Sequence, residues 1–180
     1  QSSYKILLDI SRELADTLDL DQALEKVVSV AMRNVDAERG SLIVLDSHKK
    51  PITAALYFDN KFHDFTQEKL RDITREGLAG WVIKNQKTVI VDDTQKDPRW
   101  FQTVVDNVVQ DQPKSAICAP LMRKDELNGI ITLVSAKPGY FKEEDLVLLE
   151  AIADIAGIAV HNATLYTSLN AAHQRYRDLF

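Results

Sequence analysis

The chain has little cysteine, no long apolar run and no excess of basic charge, and each shortage excludes a class of protein. Cys118 is the only cysteine among 180 residues, which rules out an internal disulfide framework and favours a reducing compartment. Apolar runs are far shorter than the ~20 residues that a membrane span needs. Acidic residues outnumber basic ones by 27 to 22, and the basic residues form no stripe that would follow a phosphate backbone.

The N-terminal stretch lacks the uncharged segment of a signal peptide, because Asp9, Arg12 and Glu13 interrupt its apolar pattern. Hydrophobic residues make up 45% of the chain, which is enough for one globular domain. A chain of this length buries roughly 70% of its unfolded surface. These features predict a cytoplasmic domain that contacts neither nucleic acid nor a membrane.

Residues that catalyse reactions or bind metals are sparse and scattered. No histidine has a helix-spaced histidine or cysteine partner for a metal ion, and the phosphate-binding glycine motifs and the Gly-x-Ser-x-Gly elbow are absent. Cys118 stands in an apolar run, which favours a small core residue over a reactive thiol. Asp92 and Asp93 follow a strand, where a pair of acids serves either acid–base chemistry or, more commonly, a turn. The sequence therefore predicts a protein that is not an enzyme and has no metal site.

Hydrophobic periodicity predicts helices at both ends of the chain and strands between them. An amphipathic helix is expected over residues 4–18, followed by a second helix with Asp21 as its N-cap. Apolar runs joined by polar turns predict two antiparallel hairpins. The other expected elements are short helices broken near Gly77 and Gly80, a strand over 87–93, a short helix over 103–110 and a long C-terminal helix. This order predicts an α+β fold with an antiparallel central sheet.

Several segments, taken in order, resemble the GAF domain, a small-molecule sensor module of signalling proteins. "GLAGWVIKNQKTVIVDDTQKDPRW" is similar to the middle motif of that family, and the segment from "SAICAPLMR" to "HNATLY" is similar to its C-terminal half. The resemblance covers residues 5–166. It implies a GAF/PAS-like sheet with the N- and C-terminal helices packed on one face and a loop-rich pocket side on the other. Glycines support it, since Gly129 opens a strand and Gly157 lies inside a helix, where both permit close packing.

The resemblance does not identify a cofactor or ligand. Lys137 and Phe141 match the cyclic-nucleotide motif of the family, but its asparagine is absent and its acid pair is reversed at Glu144-Asp145. A salt bridge between Lys137 and Asp145 is expected to hold this elbow. The segment 100–114 has no cysteine for a bilin, and no histidine for a haem lies between His63 and His161.

If a ligand binds, the resemblance implies a pocket between the sheet and the 92–112 region. Aromatic and branched side chains would line it and charged ones would make polar contacts. The expected residues are Asp92, Asp93, Arg99, Trp100, Phe101, Val104 and Val105. The alternative, held open with equal weight, is an apolar cluster that closes the fold without a ligand.

The C-terminal helix carries a second apolar stripe with alternating steps of three and four residues, which is typical of a coiled-coil seam. This stripe predicts a parallel homodimer rather than a helix that folds back on its own domain, with Asn162 fixing the register. The N-terminal helix is expected to join the bundle. The predicted dimer residues are Leu7, Ile10, Leu14, Ile155, Ile158, Asn162, Leu165, Leu169, Ala172, Tyr176 and Leu179.

The resemblance and the seam together predict a sensory or regulatory domain of a bacterial signalling protein. Residues 167–180 would be an exiting helix that transmits the state of the domain to a downstream output domain, of the histidine kinase or diguanylate cyclase type. "RYRDLF" is similar to the opening of a PAS domain. The alternatives are a ligand-free dimerisation domain and a reductase of the GAF-like methionine sulfoxide type, which relies on several cysteines.

Overall fold

The computed structural model describes residues 3–15, 17, 19–100, 104–105, 108–109, 112 and 114–179. Five helices and eight strands occur in this part of the chain. The helices are α1 (Ser3–Ala15), α2 (Leu20–Val35), α3 (Gln67–Arg75), α4 (Gly77–Asn85) and α5 (Glu143–Asp178). The strands are β1 (Arg39–Leu45), β2 (Pro51–Phe58), β3 (Lys61–His63), β4 (Val89–Val91), β5 (Val104–Val105), β6 (Val108–Val109), β7 (Ser115–Arg123) and β8 (Glu126–Ser135).

Six strands form one sheet in the order β3-β2-β1-β8-β7-β4, and all of its pairs are antiparallel. The β2–β3 hairpin turns at Asp59-Asn60, and both residues have positive φ as a tight two-residue turn requires. β7 and β8 are joined across Lys124-Asp125, with Arg123 opposite Glu126. The predicted α+β fold with an antiparallel central sheet is therefore confirmed.

One face of the sheet carries the three long helices, as the sequence predicts. The apolar face of α2 packs on the sheet, where it shares a buried core with Ile131 and Leu133 of β8. The expected sheet-facing side of α5 is also confirmed, since Ala153, Ala156 and Val160 are buried in this core. α2 itself begins at Leu20 after Asp19, rather than after the expected Asp21.

The other face is covered by α3 and α4, so it is more regular than the loop-rich side that the sequence predicts. Leu70 of α3 and Val82 of α4 are fully buried against Ile43 and Leu56 of the sheet. Glycine breaks the helical stretch as expected, because Gly77 has a φ of 76° and begins α4 directly after α3. Two short helices, the amphipathic α3 and the more apolar α4, therefore close this face.

The expected short helix over 103–110 is wrong. Val104–Val105 and Val108–Val109 form a small antiparallel pair separate from the main sheet. Branched valines fit an extended backbone better than a helix, because their χ1 freedom is restricted in a helix. The two-residue strand pairs are too short to leave a periodic signal in the sequence.

The elbow before α5 is held by hydrogen bonds and not by the expected salt bridge. Lys137 and Asp145 form no ion pair in the described structure, and Asp145 Oδ2 instead accepts a hydrogen bond from the Lys142 backbone N–H at 2.8 Å. Ser115 Oγ donates to the carbonyl oxygen of Lys137 at 2.6 Å. Phe141 is buried at the start of the helix.

Gly157 brings α5 into direct backbone contact with β7. A Cβ at this position would lie 2.8 Å from the carbonyl oxygen of Met122. We expect Gly157→Ala to lower the free energy of unfolding by about 1–2 kcal/mol, because the overpacking cost exceeds the gain in helix propensity. Urea denaturation measures this change. Asn170→Ala, in the exposed part of the same helix, is the control and should be neutral or slightly stabilising; equal effects of both variants would contradict the assigned contact.

Candidate functional site

The segment after β4 forms a turn-rich loop that is fastened to β7. Asp93 Oδ1 accepts a hydrogen bond from the Gln95 backbone N–H at 2.9 Å. Thr94 is buried, and its backbone N–H donates to the carbonyl oxygen of Lys114 at 2.8 Å. The backbone N–H of Lys114 in turn donates to Thr94 Oγ1 at 3.1 Å. The Asp93 carboxylate therefore shapes the loop, as in the turn-making alternative.

Arg99 is paired within the same loop. Its Nε donates to Asp97 Oδ1 at 2.9 Å and its Nη2 to Asp97 Oδ2 at 2.6 Å. These hydrogen bonds lower the pKa of Asp97 and raise the pKa of Arg99. The guanidinium carbon also lies 5.0 Å from the centre of the Trp81 ring, so the pair rests on α4. A ligand carboxylate or phosphate would have to compete with Asp97 for this arginine.

The Asp97–Arg99 pair has a pH-dependent consequence. Asp97→Asn should lower the free energy of unfolding at pH 7 by about 1 kcal/mol, because it removes a bidentate charged pair that is mostly shielded from solvent. The pKa of Asp97 is lowered in the folded state, so the stabilisation is fully present above the ordinary aspartate value and is lost as the pH falls through the folded-state value. Chemical denaturation at pH 7 and pH 3 checks this. An equal difference at both pH values would contradict it.

The structure brings only part of the predicted ligand set together. Asp92, Asp93, Arg99 and Trp100 share one loop, and Trp100 packs against the core formed by α3, α4 and the sheet. Asp92 is exposed, and its carbonyl oxygen accepts a hydrogen bond from the Gly139 N–H at 2.7 Å. Phe101 lies outside the described residues. For Val104 and Val105 only the backbone of β5 is described.

Two open grooves lie at the other end of the sheet and were not expected from the sequence. The first has a volume of about 370 Å³ and lies between α1, α2 and β3. It is lined by Glu13, Gln22, Glu25, Lys26, Ser29, Val30, Arg33 and Phe62. The second, of about 340 Å³, lies where β3 ends beside β2. In the sequence, a two-residue turn followed by an aromatic residue indicates β3. The groove itself could not be predicted, because it depends on the residue at which β3 ends.

Cys118 is a core residue. Its side chain is fully buried, and Sγ accepts a hydrogen bond from Thr132 Oγ1 at 3.2 Å. Burial raises the pKa of the thiol to about 12, so the thiolate is not formed at neutral pH. In the described part of the chain, no group of three or more histidine, cysteine or acidic side chains is placed to hold a metal ion.

α5 has a buried face and an exposed apolar face on opposite sides. Core residues run along it from Leu149 to Ala163, and every residue from 165 to 179 is exposed. On the outward side Ile158 is 53% exposed, Leu165 55% and Leu169 69%. The predicted stripe is therefore solvent-exposed along α5, except at Ile155, which is half-buried. Its other exposed members are Asn162, Ala172, Tyr176 and Leu179.

The predicted role of α1 in a dimer seam needs correction. Ile10 and Leu14 are buried at 2% and 5% exposure in the core that α1 shares with α2 and α5, and Leu7 packs against that core. An amphipathic helix buries its apolar face against the nearest apolar surface, and here its own domain provides one. The exposed apolar side chains of α1 are instead Tyr4 and Leu8.

By length and composition alone, one described helix, α5, is long and apolar enough to cross a membrane. Part of this apolar character comes from Leu149, Ile152 and other residues that form the core of the domain.

The sheet and its two helical layers define the class of fold. A six-stranded antiparallel sheet between a layer of long helices and a layer of short helices is an α+β domain. The sequence profile described as "GAF domain" matches residues 17–161. The chain therefore belongs to the GAF-domain family, a regulatory module that is typically non-catalytic.

Curated relatives contain such a domain within much longer proteins. The chain is 27% identical to a probable 3',5'-cyclic phosphodiesterase, pde-5, of Caenorhabditis elegans, over 95% of this chain and 24% of that protein. It is 24% identical to the formate hydrogenlyase transcriptional activator of Salmonella typhimurium, over 99% of this chain and 26% of that protein. The chain thus spans about a quarter of the length of these relatives.

Solved structures share the fold. The GAF domain from a phosphoenolpyruvate-protein phosphotransferase of Coxiella burnetii superposes with a TM-score of 0.69 at 19% identity, covering 92% of this chain and 96% of that one. The free methionine-R-sulfoxide reductase from Neisseria meningitidis, in complex with its substrate, gives a TM-score of 0.63 at 16% identity, covering 91% and 90%. A GAF domain of a phosphotransferase and a reductase therefore both share this fold.

Proposed function

We propose that this chain is a cytoplasmic, non-catalytic sensory GAF domain that forms a homodimer through α5. Its state passes along α5 to an output domain of the histidine kinase or diguanylate cyclase type in the same protein. The observation that carries the proposal is the double character of α5, which is a core element up to Ala163 and an exposed apolar stripe beyond it. A bacterial origin and a following PAS domain stay predictions.

The exposed part of α5 supports dimerisation. Fifteen exposed residues extend over about 22 Å of helix, and an isolated helix of that length is marginally stable in water. Its apolar positions alternate in steps of three and four, which is the spacing that pairs two helices. Asn162 is an exposed polar residue within this stripe, where an asparagine pair fixes register at some cost in stability.

A hydrogen-bonded route connects the candidate ligand loop with α5. The Asp92 carbonyl oxygen accepts from Gly139 at 2.7 Å, and Gly139 lies in the elbow that leads into the Lys142 N-cap of α5. Ser115, at the start of β7, fastens the same elbow at Lys137. A small molecule that favours one arrangement of the 92–112 region would therefore shift the base of α5.

Contacts within the 92–100 loop support the alternative of a domain that binds no ligand. The polar side chains of Asp93 and Arg99 are engaged by neighbours within the loop, and Trp100 packs on the core. Such a loop closes the fold without a ligand, and the chain is then a dimerisation domain. A reductase role has less support, because Cys118 is the only cysteine and is buried.

Native mass spectrometry of the purified protein separates the sensor from the ligand-free module. For a sensor, we expect a mass excess over the denatured protein that corresponds to one small molecule per chain. The excess should diminish in Trp100→Ala, which removes the largest side chain of the candidate pocket. Identical native and denatured masses per chain, together with an intact dimer, would support the dimerisation domain instead.

A further inference from the structure

The outer edge of β2 is only half covered. β3 pairs with the last three residues of β2, from Leu56 opposite His63 to Phe58 opposite Lys61. After His63 the chain leaves the sheet and enters α3 on the far face. The first part of β2 therefore has β1 on one side and no strand of the described chain on the other.

The register shows which peptide groups face this open edge. Phe58 and Lys61 flank the two-residue turn and form a hydrogen-bonded pair, so the pairs alternate and Leu56 with His63 is the next one. By the same period of two, Ala54 and Ile52 direct their N–H and C=O groups outward. The contact of Ile52 agrees, since its carbonyl oxygen accepts a hydrogen bond from Gln67 Nε2 at 3.0 Å. Ala54 itself is 8% exposed, and no hydrogen bond from a described residue reaches its outward N–H or C=O group.

The open edge forms one wall of the second groove. Thr53 to Leu56 line it on one side, and the segment from Phe62 to Phe65 lines it on another. α2 contributes Asp21 and Glu25. Among the described residues that line the groove, the charged groups are the carboxylates of Asp21, Glu25 and Asp64, and there is no lysine or arginine.

We propose that this groove binds an extended, basic peptide segment of a partner protein. The segment would add a short strand beside Ala54 through main-chain hydrogen bonds. Its apolar side chains would contact Phe62 and Phe65, and its lysines or arginines would face the three carboxylates. A second copy of this chain is a poor occupant, because two such edges would bring two acidic rims together.

A defined probe tests both the charge and the strand pairing. The probe is a fluorescein-labelled heptapeptide, Lys-Val-Lys-Val-Lys-Val-Thr, titrated with the full 180-residue chain at low salt and followed by fluorescence anisotropy. Binding should be at least tenfold tighter than for the twin peptide with glutamate in place of lysine. N-methylation of the three central residues should weaken it at least tenfold, because it removes main-chain donors.

Variants locate the binding. Asp21→Lys with Glu25→Lys should weaken binding at least tenfold, whereas the matched reversal Asp125→Lys with Glu126→Lys, at the β7–β8 turn, should leave it unchanged. Amide hydrogen exchange at Ala54 should slow on binding. The proposal is overturned if the probe does not bind, if the glutamate peptide binds equally well, if both double variants weaken binding alike, or if Ala54 exchange stays the same at saturation.

Discussion

Leu165→Glu combined with Leu169→Glu is expected to dissociate the proposed α5 dimer into monomers. Both leucines are more than half exposed in the single chain, on the outward stripe of α5. Burying one leucine gives about 1.5–3 kcal/mol, and a dimer would bury four, so their loss weakens association by at least about 10⁴-fold. Glutamates facing each other in the seam would add repulsion. Sedimentation velocity over a range of concentrations measures the change.

The control for this experiment lies on the same turn of the helix. Thr167→Glu with Ala171→Glu places the same two charges four residues apart, also at exposed positions, but away from the stripe. This variant should remain a dimer, and both variants should keep the helical content and unfolding midpoint of the domain. A double leucine variant that sediments as the unchanged dimer would refute the seam, and dissociation of both variants would refute its location.

Gly129→Ala is expected to have the largest effect on stability among single methyl additions. Gly129 lies in β8 between β1 and β7, and a Cβ there would be 2.7 Å from the carbonyl oxygen of Ile43. Because the obstacle is backbone in the middle of a sheet, relief requires two strands to move apart. We expect a loss of about 2–3 kcal/mol in the free energy of unfolding. Urea denaturation monitored by circular dichroism measures it.

Gly40→Ala is the matched control in a neighbouring strand. A Cβ at Gly40 would lie 2.8 Å from Met32 Sδ and 3.0 Å from Val28 Cγ1, so both obstacles are side chains rather than backbone, and the flexible methionine can rotate away. The cost should stay within about 1 kcal/mol. If Gly40→Ala proved as costly as Gly129→Ala, close packing in general, rather than the rigid Ile43 backbone, would explain both results.

The sheet and the long helices could be predicted because they repeat a pattern over many residues. β7 and β8 are largely apolar runs on either side of a polar turn, and α5 begins with acids at its N-terminus, where a helix favours them. Gly129 and Gly157 were predicted as sites of close approach, and both meet a backbone carbonyl oxygen in the structure. The local sequence is informative here because a glycine inside a strand or helix itself indicates that another backbone comes close.

Partners between distant elements could not be predicted in the same way. Periodicity shows that Ile10 and Leu14 need an apolar surface, but not whether α5 of the same chain or a second chain provides it. β5 and β6 have two residues each, too few for any period to be visible.

The candidate site shows a similar limit. The identities of Asp93 and Arg99 suited a polar contact with a ligand, but hydrogen bonds inside the loop determine what these side chains do. A residue two positions away, Asp97, engages Arg99 with both carboxylate oxygens. The sequence alone predicted the 92–112 segment and its residue types. It left open which of these side chains are free to contact a ligand.

The close contact at Gly157 also gives α5 the mechanics of a lever. The helix touches the β7 backbone at Met122 and continues without proline or a further glycine to Asp178. From that fulcrum to the tip is about 32 Å of helix, so a tilt of about 10° at the base displaces the tip by roughly 5–6 Å. That displacement is about one helical turn, and the same tilt moves the start of α5, about 21 Å on the other side of the contact, by roughly 3–4 Å. The output side is about one and a half times as long as the input side, so the helix enlarges a motion at its base by that factor. Lengthening the helix by whole heptads would preserve the direction of the motion.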